Sequence, residues 1–337
     1  MSTDRHAQRI VIAGASSLLG AEVKTLLEEG RFAGWDLRLV DEEDVAGTLT
    51  EAGGEATLIQ RVEEDTFQGA RFAFLTGSTD FAKQCLAPAK HAGATILDFS
   101  RATLGDPDAT PWFPKIEALT GKTVGKKGSA YSIFSPGGTA IASLALALRR
   151  AGLQRLVALL FQPVSEAGRE GIEELETQTS QLLSFQSVGQ QIFDAQAAFN
   201  LLPRYGAESR QNLHRSLLQT RAEVSAALDE PALDANIAMN LIHAPVFYGL
   251  AFSAWVALER NTGVSALKQL CKDAGFVFVE NDAPPPCNVS VAGETCILLG
   301  EPQPDPACQG SWWFWGVADN LRFPAASGCK LAEWLES

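Results

Sequence analysis

The sequence predicts a two-part α/β chain: a doubly wound parallel sheet in the N-terminal part and an α+β second domain. Three observations carry this expectation. Strand and helix patterns alternate from Arg9 to about Ser100. Near Leu153 the alternation gives way to long strands separated by a polar helical stretch. The length of 337 residues, with 46% apolar and 20% charged residues, exceeds one compact domain and supplies a core to each of two. The expected boundaries are 1–134 for the first domain, 135–318 for the second, and 319–337 for a C-terminal helix packing back on the first.

The elements follow in order. "RIVIAG", Arg9 to Gly14, is a β-rich apolar run ending in glycine. "AEVKTLLEEGRF", Ala21 to Phe32, has helical spacing, with Val23, Leu26 and Leu27 on one face. "LRLVDEED" reads as a second strand and "ARFAFLTG", Ala70 to Gly77, as a third. A helix over roughly Asp80 to Ala92 and the strand "ATILDFS" complete the alternating part. In the second part "LQRLVALLFQPVS" and "FVFVE" are long strand candidates. "APVFYGLAFSAWVALE", Ala244 to Glu259, is strand-rich and broken by Gly249; "EELETQTSQLLS" lies in a polar helix. "NDAPPPCN" and "GEPQPDPACQG" are Pro-rich loops.

Composition excludes several functions. The net charge is −13. Such a surface repels phosphate backbones and anionic lipid, so neither nucleic-acid nor membrane binding is expected. No apolar run reaches the ~18 residues of a membrane span. The N-terminus "MSTDRHAQ" has no secretory character, which points to the cytoplasm. The six cysteines form no CxxC pair and only four histidines could assist them, so no metal is expected and the thiols read as reduced.

"GASSLLG", Gly14 to Gly20, joins the first strand to the first helix, where a dinucleotide pyrophosphate rests on a helix N-terminus. Gly14, Ser16, Ser17, Leu19 and Gly20 are the candidate cofactor contacts of this Rossmann-like turn. The middle glycine that lets backbone approach the phosphates is absent. Asp41 closes the second strand, where an acid bonds an NAD ribose hydroxyl and repels the 2′-phosphate of NADP. Glu42, Glu43 and Asp44 follow it, so any nucleotide is expected to be NAD, weakly held. A purely structural glycine turn and a solvated acidic loop are the competing readings.

Several stretches occur together in family order: the opening strand-turn-helix, "DPDATPWFPKIE", "FQPVSEAGREGIEEL", "AAFNLLP", "HAPVFYG" and "WGVADNLRFPAA". With these the chain resembles aspartate-semialdehyde dehydrogenases, especially the divergent homologues called USG-1-like, over nearly its whole length. The resemblance implies an NAD(P)-binding first domain and a catalytic, dimerising second domain. It implies NADP-dependent interconversion of aspartyl phosphate and aspartate semialdehyde through a cysteine thioester, with a histidine base and cations for phosphate and carboxylate.

The family's nucleophile turn reads Asn-Pro-x-Cys-Ser/Thr. Here it is Ser135, Pro136, Gly137, Gly138 and Thr139, so the cysteine position holds Gly138. The histidine position after "PVFxG" holds Leu250. The carboxylate-clamping arginine matches His243, which can hold a carboxylate only when protonated. The phosphate-binding arginine falls at about Leu104, with Arg101 nearby as a substitute. Gln162 matches a pocket glutamine, but Glu166 replaces the glycine of the turn after it. Arg215 matches a substrate-site lysine, and Asp319 and Asn320 match residues on the nicotinamide side. The substrate-pocket candidates are therefore Gln162, Arg101, Arg215 and His243, with Asn320 on the cofactor side. Each also has a structural reading as a cap, turn or solvated helix residue.

No replacement nucleophile is evident. Cys85 lies on an apolar helix face, and the other five cysteines stand far along the chain, in loops, strands or the terminal helix. His6, His91 and His214 read as surface or helix residues. The expected function is that of a pseudoenzyme: a family member without aspartate-semialdehyde dehydrogenase activity, binding NAD or another small ligand, or acting as a regulatory subunit. It would form a homodimer or a heteromer with an active paralogue. The alternatives are an NAD-dependent oxidoreductase with thiol-free chemistry and a purely structural dimerisation partner.

Overall fold

The computed structural model describes residues 8–52, 54–126, 129–259, 262–279 and 283–337. The chain forms two compact units. One comprises Met1–Phe113, Val124–Phe134 and Pro324–Ser337; the other comprises Pro114–Thr123 and Ser135–Phe323. Both units are divisions of the described residues.

The first unit is built on β1 (Arg9–Ala13), α1 (Leu18–Glu29), β2 (Asp36–Asp41), the hairpin β3 (Leu49–Ala52) and β4 (Glu55–Leu58), β5 (Gln60–Arg61), β6 (Ala70–Leu75), α2 (Thr79–His91), β7 (Thr95–Asp98), β8 (Ala109–Trp112) and β9 (Ala130–Ile133). Its sheet has the order β5-β2-β1-β6-β7-β9-β8. Every pairing in it is parallel. The order reverses direction between β1 and β6, the switch point beside which doubly wound sheets bind ligands. β1 reads as a near-continuous apolar run because both sheet faces are covered. Ile10, Val11 and Ile12 are fully buried. The C-terminal helix, Arg322–Glu336, contributes its Pro324–Glu336 part to this unit. Within it Trp334 stacks on Trp112 at 6.1 Å and Glu336 pairs with Arg71 at 2.9 Å.

The second unit contains α3 (Ile116–Thr120), α4 (Pro136–Arg149), β10 (Leu153–Gln162), a 3₁₀ turn (Val164–Ala167), α5 (Gly168–Leu183), α6 (Leu213–Leu228), α7 (Pro231–Asp234), β11 (Ile237–His243), β12 (Leu250–Leu258), α8 (Val264–Asp273), β13 (Phe276–Phe278), β14 (Ile297–Leu299), β15 (Gln303–Pro304) and β16 (Ser311–Ala318). Its sheet runs β11-β10-β12-β16-β14-β13, with β15 also on β16. It is mixed: β10 pairs parallel with β11 and antiparallel with β12. The expected pairing of a doubly wound domain with an α+β domain is what the chain adopts.

Three local expectations are corrected. The Ala244–Glu259 stretch is strand only from Leu250. Pro245 donates no ladder hydrogen bond and Gly249 takes a left-handed φ of +83°, so the chain turns before the strand begins. In "FVFVE" the strand β13 is short, ending at Phe278 where β14 ends, and Glu280 lies outside the described residues. Cys271 lies buried on α8, which is neither a loop, a strand nor the terminal helix.

Helices α4, α6 and α8 pack on one face of the second sheet. The opposite face is open and apolar: Val157 and Leu159 of β10 and Trp313 and Trp315 of β16 are exposed. Strand alternation produces this split, because Leu156, Ala158 and Leu160 point inward between them.

Candidate functional site

In the first unit, Gly14 ends β1 with φ +92°. A β-carbon there would lie 2.1 Å from the Gly77 nitrogen, and one on Gly20 would lie 2.2 Å from the Gly14 carbonyl oxygen. Both glycines are therefore demanded by backbone packing at the switch point. Ser17 caps α1: its hydroxyl accepts from the Gly20 amide at 2.9 Å and donates to the Thr76 carbonyl at 3.0 Å. The Ser16 amide donates to Asp41 Oδ2 at 2.7 Å, and the Glu42 amide donates to Asp41 Oδ1 at 2.9 Å. Asp41, nearly fully buried, thus ties the turn to the end of β2. The amides of Leu18 and Leu19, in the first turn of α1, cannot be satisfied from within the helix. Beside Asp41 lies a cleft of about 610 Å³ whose lining includes Glu42, Glu43, Glu63 and Phe81.

In the second unit, the turn Ser135–Gly138 opens α4. Ser135 is the N-cap, its hydroxyl accepting from the Gly138 amide at 3.1 Å. A carboxylate from another helix, Glu223 of α6, is seated on this turn. Its Oε1 accepts from the Ser135 amide at 3.2 Å, and its Oε2 accepts from the Ser135 hydroxyl. Glu223 is 1% exposed. A β-carbon on Gly138 would stand 2.1 Å from Glu223 Oε2. The space a thiol would use is filled by this carboxylate. A β-carbon on Gly137 would meet Leu160, Thr220 and, at 3.6 Å, Leu250. Leu250 thus forms an apolar wall of the same turn.

His243 ends β11, fully buried. Its Nε2 lies 3.1 Å from the Ala197 carbonyl, which can only accept, so Nε2 carries the proton. Its Nδ1 then accepts from the Tyr205 hydroxyl at 3.1 Å. Burial lowers the histidine's pKa below its usual value and favours the neutral ring. The Gln162 side chain, at the end of β10, hydrogen-bonds the same Tyr205 hydroxyl. Burial, and then the charge of Glu166, push the tyrosine pKa up. Gln162, Tyr205 and His243 form one buried polar chain in which both imidazole nitrogens are engaged, leaving none for a substrate carboxylate.

Asn320 is buried at the end of β16. It accepts from the Gly249 amide at 2.8 Å and donates to Ser165 at 3.0 Å and Glu166 at 3.1 Å. It thereby joins the 3₁₀ turn to the loop before β12. Asp319 caps the C-terminal helix through the Leu321 and Arg322 amides. Arg215 is exposed in the first turn of α6, its amide bonded to Asn212. Arg101 and Leu104 belong to the first unit, where Arg101 adopts φ +66°. His6 lies outside the described residues. The second unit therefore brings together Gly138, Leu250 and Glu223 on one turn, and Gln162 and His243 on one chain of hydrogen bonds. Arg215 joins neither.

Glu223 escaped the sequence reading, although a signal exists. It stands at i+3 from Thr220 and one residue before Val224, on the buried stripe of α6. An acid at a core position of a helix needs an explanation. Among the cysteines, Cys85 is pushed up to about 12 by burial and by the charge of Asp41, and Cys271 to about 12 by burial. Cys287, on an exposed loop, is held below the ordinary thiol value by hydrogen bonds from Ser290 and Val289. Among the described residues no group of three or more His, Cys, Asp or Glu could hold a metal ion, and no helix is long and apolar enough to cross a membrane.

Residues 145–323 match the family described as "Semialdehyde dehydrogenase, dimerisation domain". The chain is 30% identical to a USG-1 protein homolog of Azotobacter vinelandii, with 97% of each chain covered. It is 28% identical to an aspartate-semialdehyde dehydrogenase of Aquifex aeolicus, again with 97% of each covered. The crystal structure of aspartate semialdehyde dehydrogenase II from Vibrio cholerae has the same fold, with a TM-score of 0.83 at 23% identity over 97% of this chain and 98% of that one. The Candida albicans enzyme solved with NADP gives a TM-score of 0.66 at 14% identity, covering 98% of each. Identity sustained across the full length, together with the matched dimerisation domain, places the chain in the semialdehyde dehydrogenase family.

Proposed function

We propose that this chain is a dimeric, nucleotide-binding member of the semialdehyde dehydrogenase family that does not oxidise aspartate semialdehyde and serves as a binding or regulatory subunit in the cytoplasm. The observation that carries the reading is the turn at Gly138. Glycine cannot form a thioester, Leu250 cannot take a proton, and the buried carboxylate of Glu223 fills the space a thiol would need. Each loss alone removes several powers of ten in rate.

The first unit fits a dinucleotide in part. The α1 N-terminus offers the Leu18 and Leu19 amides to a pyrophosphate. The Ser16 amide is already held by Asp41, which weakens the cradle. Asp41, Glu42 and Glu43 crowd the end of β2 with carboxylates, which favours NAD over NADP. When bound, the nucleotide would supply a hydride acceptor; Asp41 would orient a ribose and the α1 start would hold phosphate.

Dimerisation through the open face of the second sheet is supported by its exposed Val157, Leu159, Trp313 and Trp315 and by the matched dimerisation domain. The partner is a second copy or an active paralogue. A purely structural partner is the second reading, favoured by the occupation of the Ser16 amide and by the absence of a middle glycine in the turn.

The test is calorimetric titration of the purified protein with NAD, NADP and acidic amino-acid metabolites, alongside an assay for NAD(P)H formation from aspartate semialdehyde and phosphate. Binding without turnover supports the proposal. Binding of none of them supports the structural partner. Robust turnover overturns both.

A further inference from the structure

We infer that the second unit carries a seat for a small organic acid, a carboxylate on an apolar body, in the cavity walled by Arg204, Gln211, His214 and Asn240 at the β11 edge of its sheet. The turn at Gly138 lines none of this cavity. The inference therefore stands apart from whether the chain turns over a semialdehyde.

The cavity holds about 260 Å³, which limits its occupant to a small metabolite. Three elements meet around it: the loop at Arg204 and Tyr205, the start of α6, and the edge strand β11. The loop is fixed before any ligand arrives. The His243 amide donates to the Leu202 carbonyl at 2.9 Å, and the Gly206 amide donates to the Phe193 carbonyl at 3.1 Å. The Tyr205 hydroxyl donates to His243 Nδ1 at 3.1 Å. Arg204, itself exposed, thus stands between anchored neighbours.

Charge identifies the ligand. The chain has a net charge of −13, and its acids line other clefts: Glu42 and Glu43 beside Asp41, Glu173 and Glu174 along α5. No Asp or Glu lines this one. Among the described residues Arg204 has no hydrogen-bond or ion-pair partner. Asn240 uses its Oδ1 on the Leu241 amide at 2.8 Å, which leaves its Nδ2 as a donor. Gln211 and His214 add further N–H groups to the lining. A guanidinium among N–H donors, with no carboxylate to engage them, selects an anion, and a planar carboxylate takes two guanidinium N–H groups at once. Much of the remaining lining is apolar, the Tyr205 ring and Leu217 included. A bare inorganic anion leaves that surface uncovered, whereas an acid with an apolar body covers it. Tyr205 extends the reach of the seat: a ligand against its ring lies one hydrogen bond from the buried His243.

The probe is benzoate, titrated calorimetrically into the intact protein. Benzyl alcohol is its uncharged counterpart, and inorganic phosphate is an anion without an apolar body. Wild type, Arg204→Gln, Asn240→Leu and Arg155→Gln are compared; Arg155, an exposed arginine of β10 outside the cavity, is the control. Wild type is expected to bind benzoate saturably. Arg204→Gln is expected to weaken that binding at least about tenfold, the loss of one charge-assisted contact. Asn240→Leu should weaken it less, and Arg155→Gln should leave it unchanged. No saturable binding of benzoate to wild type overturns the inference, as does binding that Arg204→Gln leaves intact. Equal affinity for benzyl alcohol removes charge as the selector, and equal affinity for phosphate removes the apolar wall; either result overturns the stated ligand class. Circular dichroism checks the fold of each variant. Should Arg204→Gln not fold, wild-type crystals soaked in benzoate decide the matter: its carboxylate on Arg204 supports the inference, and an empty cavity overturns it. Neither nucleotide nor semialdehyde enters these readouts, so their failure leaves the proposed lack of turnover standing or falling by its own assay.

Discussion

The Oε2 atom of Glu223 stands 2.1 Å from where a β-carbon on Gly138 would sit. The two residues come from different helices, α4 and α6, and the carboxylate takes the space that a side chain at 138 would enter. At residue 138, which has no side chain, the carboxylate uses the space and holds the capping residue Ser135 through its amide and hydroxyl. The turn is a finished piece of packing with its own hydrogen bonds.

The Glu223 carboxylate should matter to stability. A carboxylate at a helix start contributes up to ~2 kcal/mol when partly buried, and its hydrogen bonds from Ser135 contribute further. Glu223→Gln keeps shape and some bonding, so it should cost about 1 kcal/mol; Glu223→Leu strands the Ser135 donors and should cost about 2–4 kcal/mol. Urea denaturation of the three proteins checks this. Equal midpoints would show that the seated carboxylate contributes nothing.

His243 should make stability depend on pH in one direction. Its folded pKa is lowered by burial, whereas the unfolded chain takes up a proton near ~6.5. Its contribution is therefore complete above ~6.5 and is lost as pH falls below that toward the folded value, by up to about 1.4 kcal/mol per pH unit. Denaturation midpoints of wild type and His243→Gln between pH 8 and pH 5 test the sign. The wild type should lose stability faster on acidification. Parallel curves would mean that His243 is not the group responsible.

Dimerisation should fail when the open sheet face is charged. Trp313, 44% exposed, and Val157, 38% exposed, lie on that face. Val157→Arg with Trp313→Glu should leave the inner face untouched and give a monomer in sedimentation at micromolar concentration, where wild type is a dimer. A wild-type monomer would dismiss this interface outright.

Much of this was legible in the sequence, and the reasons are physical. The β1 run, the glycine turn and the strand-helix alternation fix the doubly wound sheet because periodicity and turn chemistry are local signals. That positions 138 and 250 carry neither a thiol nor an imidazole was legible, because residue type is read directly. Glu223 was not read, since its role depends on α6 crossing the start of α4, a long-range contact. The same holds for His243. A match to a clamp position suggested a ligand contact, whereas Tyr205 and the Ala197 carbonyl engage both of its nitrogens. Asp41 was read as a ribose ligand, and its bond to the Ser16 amide could not be seen from spacing.

Nucleotide preference should follow the acids at the end of β2. NAD is expected to bind at least about tenfold more tightly than NADP, a difference of ~1.4 kcal/mol that one like-charge contact can supply. Asp41→Ala should destabilise the fold by about 1–3 kcal/mol, because the Ser16 amide loses its acceptor. It should also narrow the NAD preference. Calorimetry with both nucleotides on both proteins reads this, and tighter binding of NADP by wild type would remove the role given to Asp41.

The most demanding prediction concerns restoration of the thiol. Gly138→Cys should not create phosphate-dependent semialdehyde oxidation, and it should destabilise the protein by about 2–4 kcal/mol, since the new β-carbon displaces a buried, hydrogen-bonded carboxylate. Adding Glu223→Ala should recover part of that loss by clearing the space. Leu250 would still stand at the same turn, beside Gly137, an apolar group that offers no proton acceptor to lower a thiol pKa. Leu250→His would supply a base, yet the substrate would remain unclamped, because Leu104 and His243 stand where the family resemblance implies arginines. Positioning of that kind is worth several powers of ten. The expected order of activity is none for wild type and for Gly138→Cys. Gly138→Cys with Glu223→Ala should give a trace at most, and the triple variant a small gain. NAD(P)H formation from aspartate semialdehyde and phosphate measures it, with denaturation midpoints taken on the same preparations. Strong activity in Gly138→Cys alone would mean that Glu223 moves aside freely and that the rest of the site is intact.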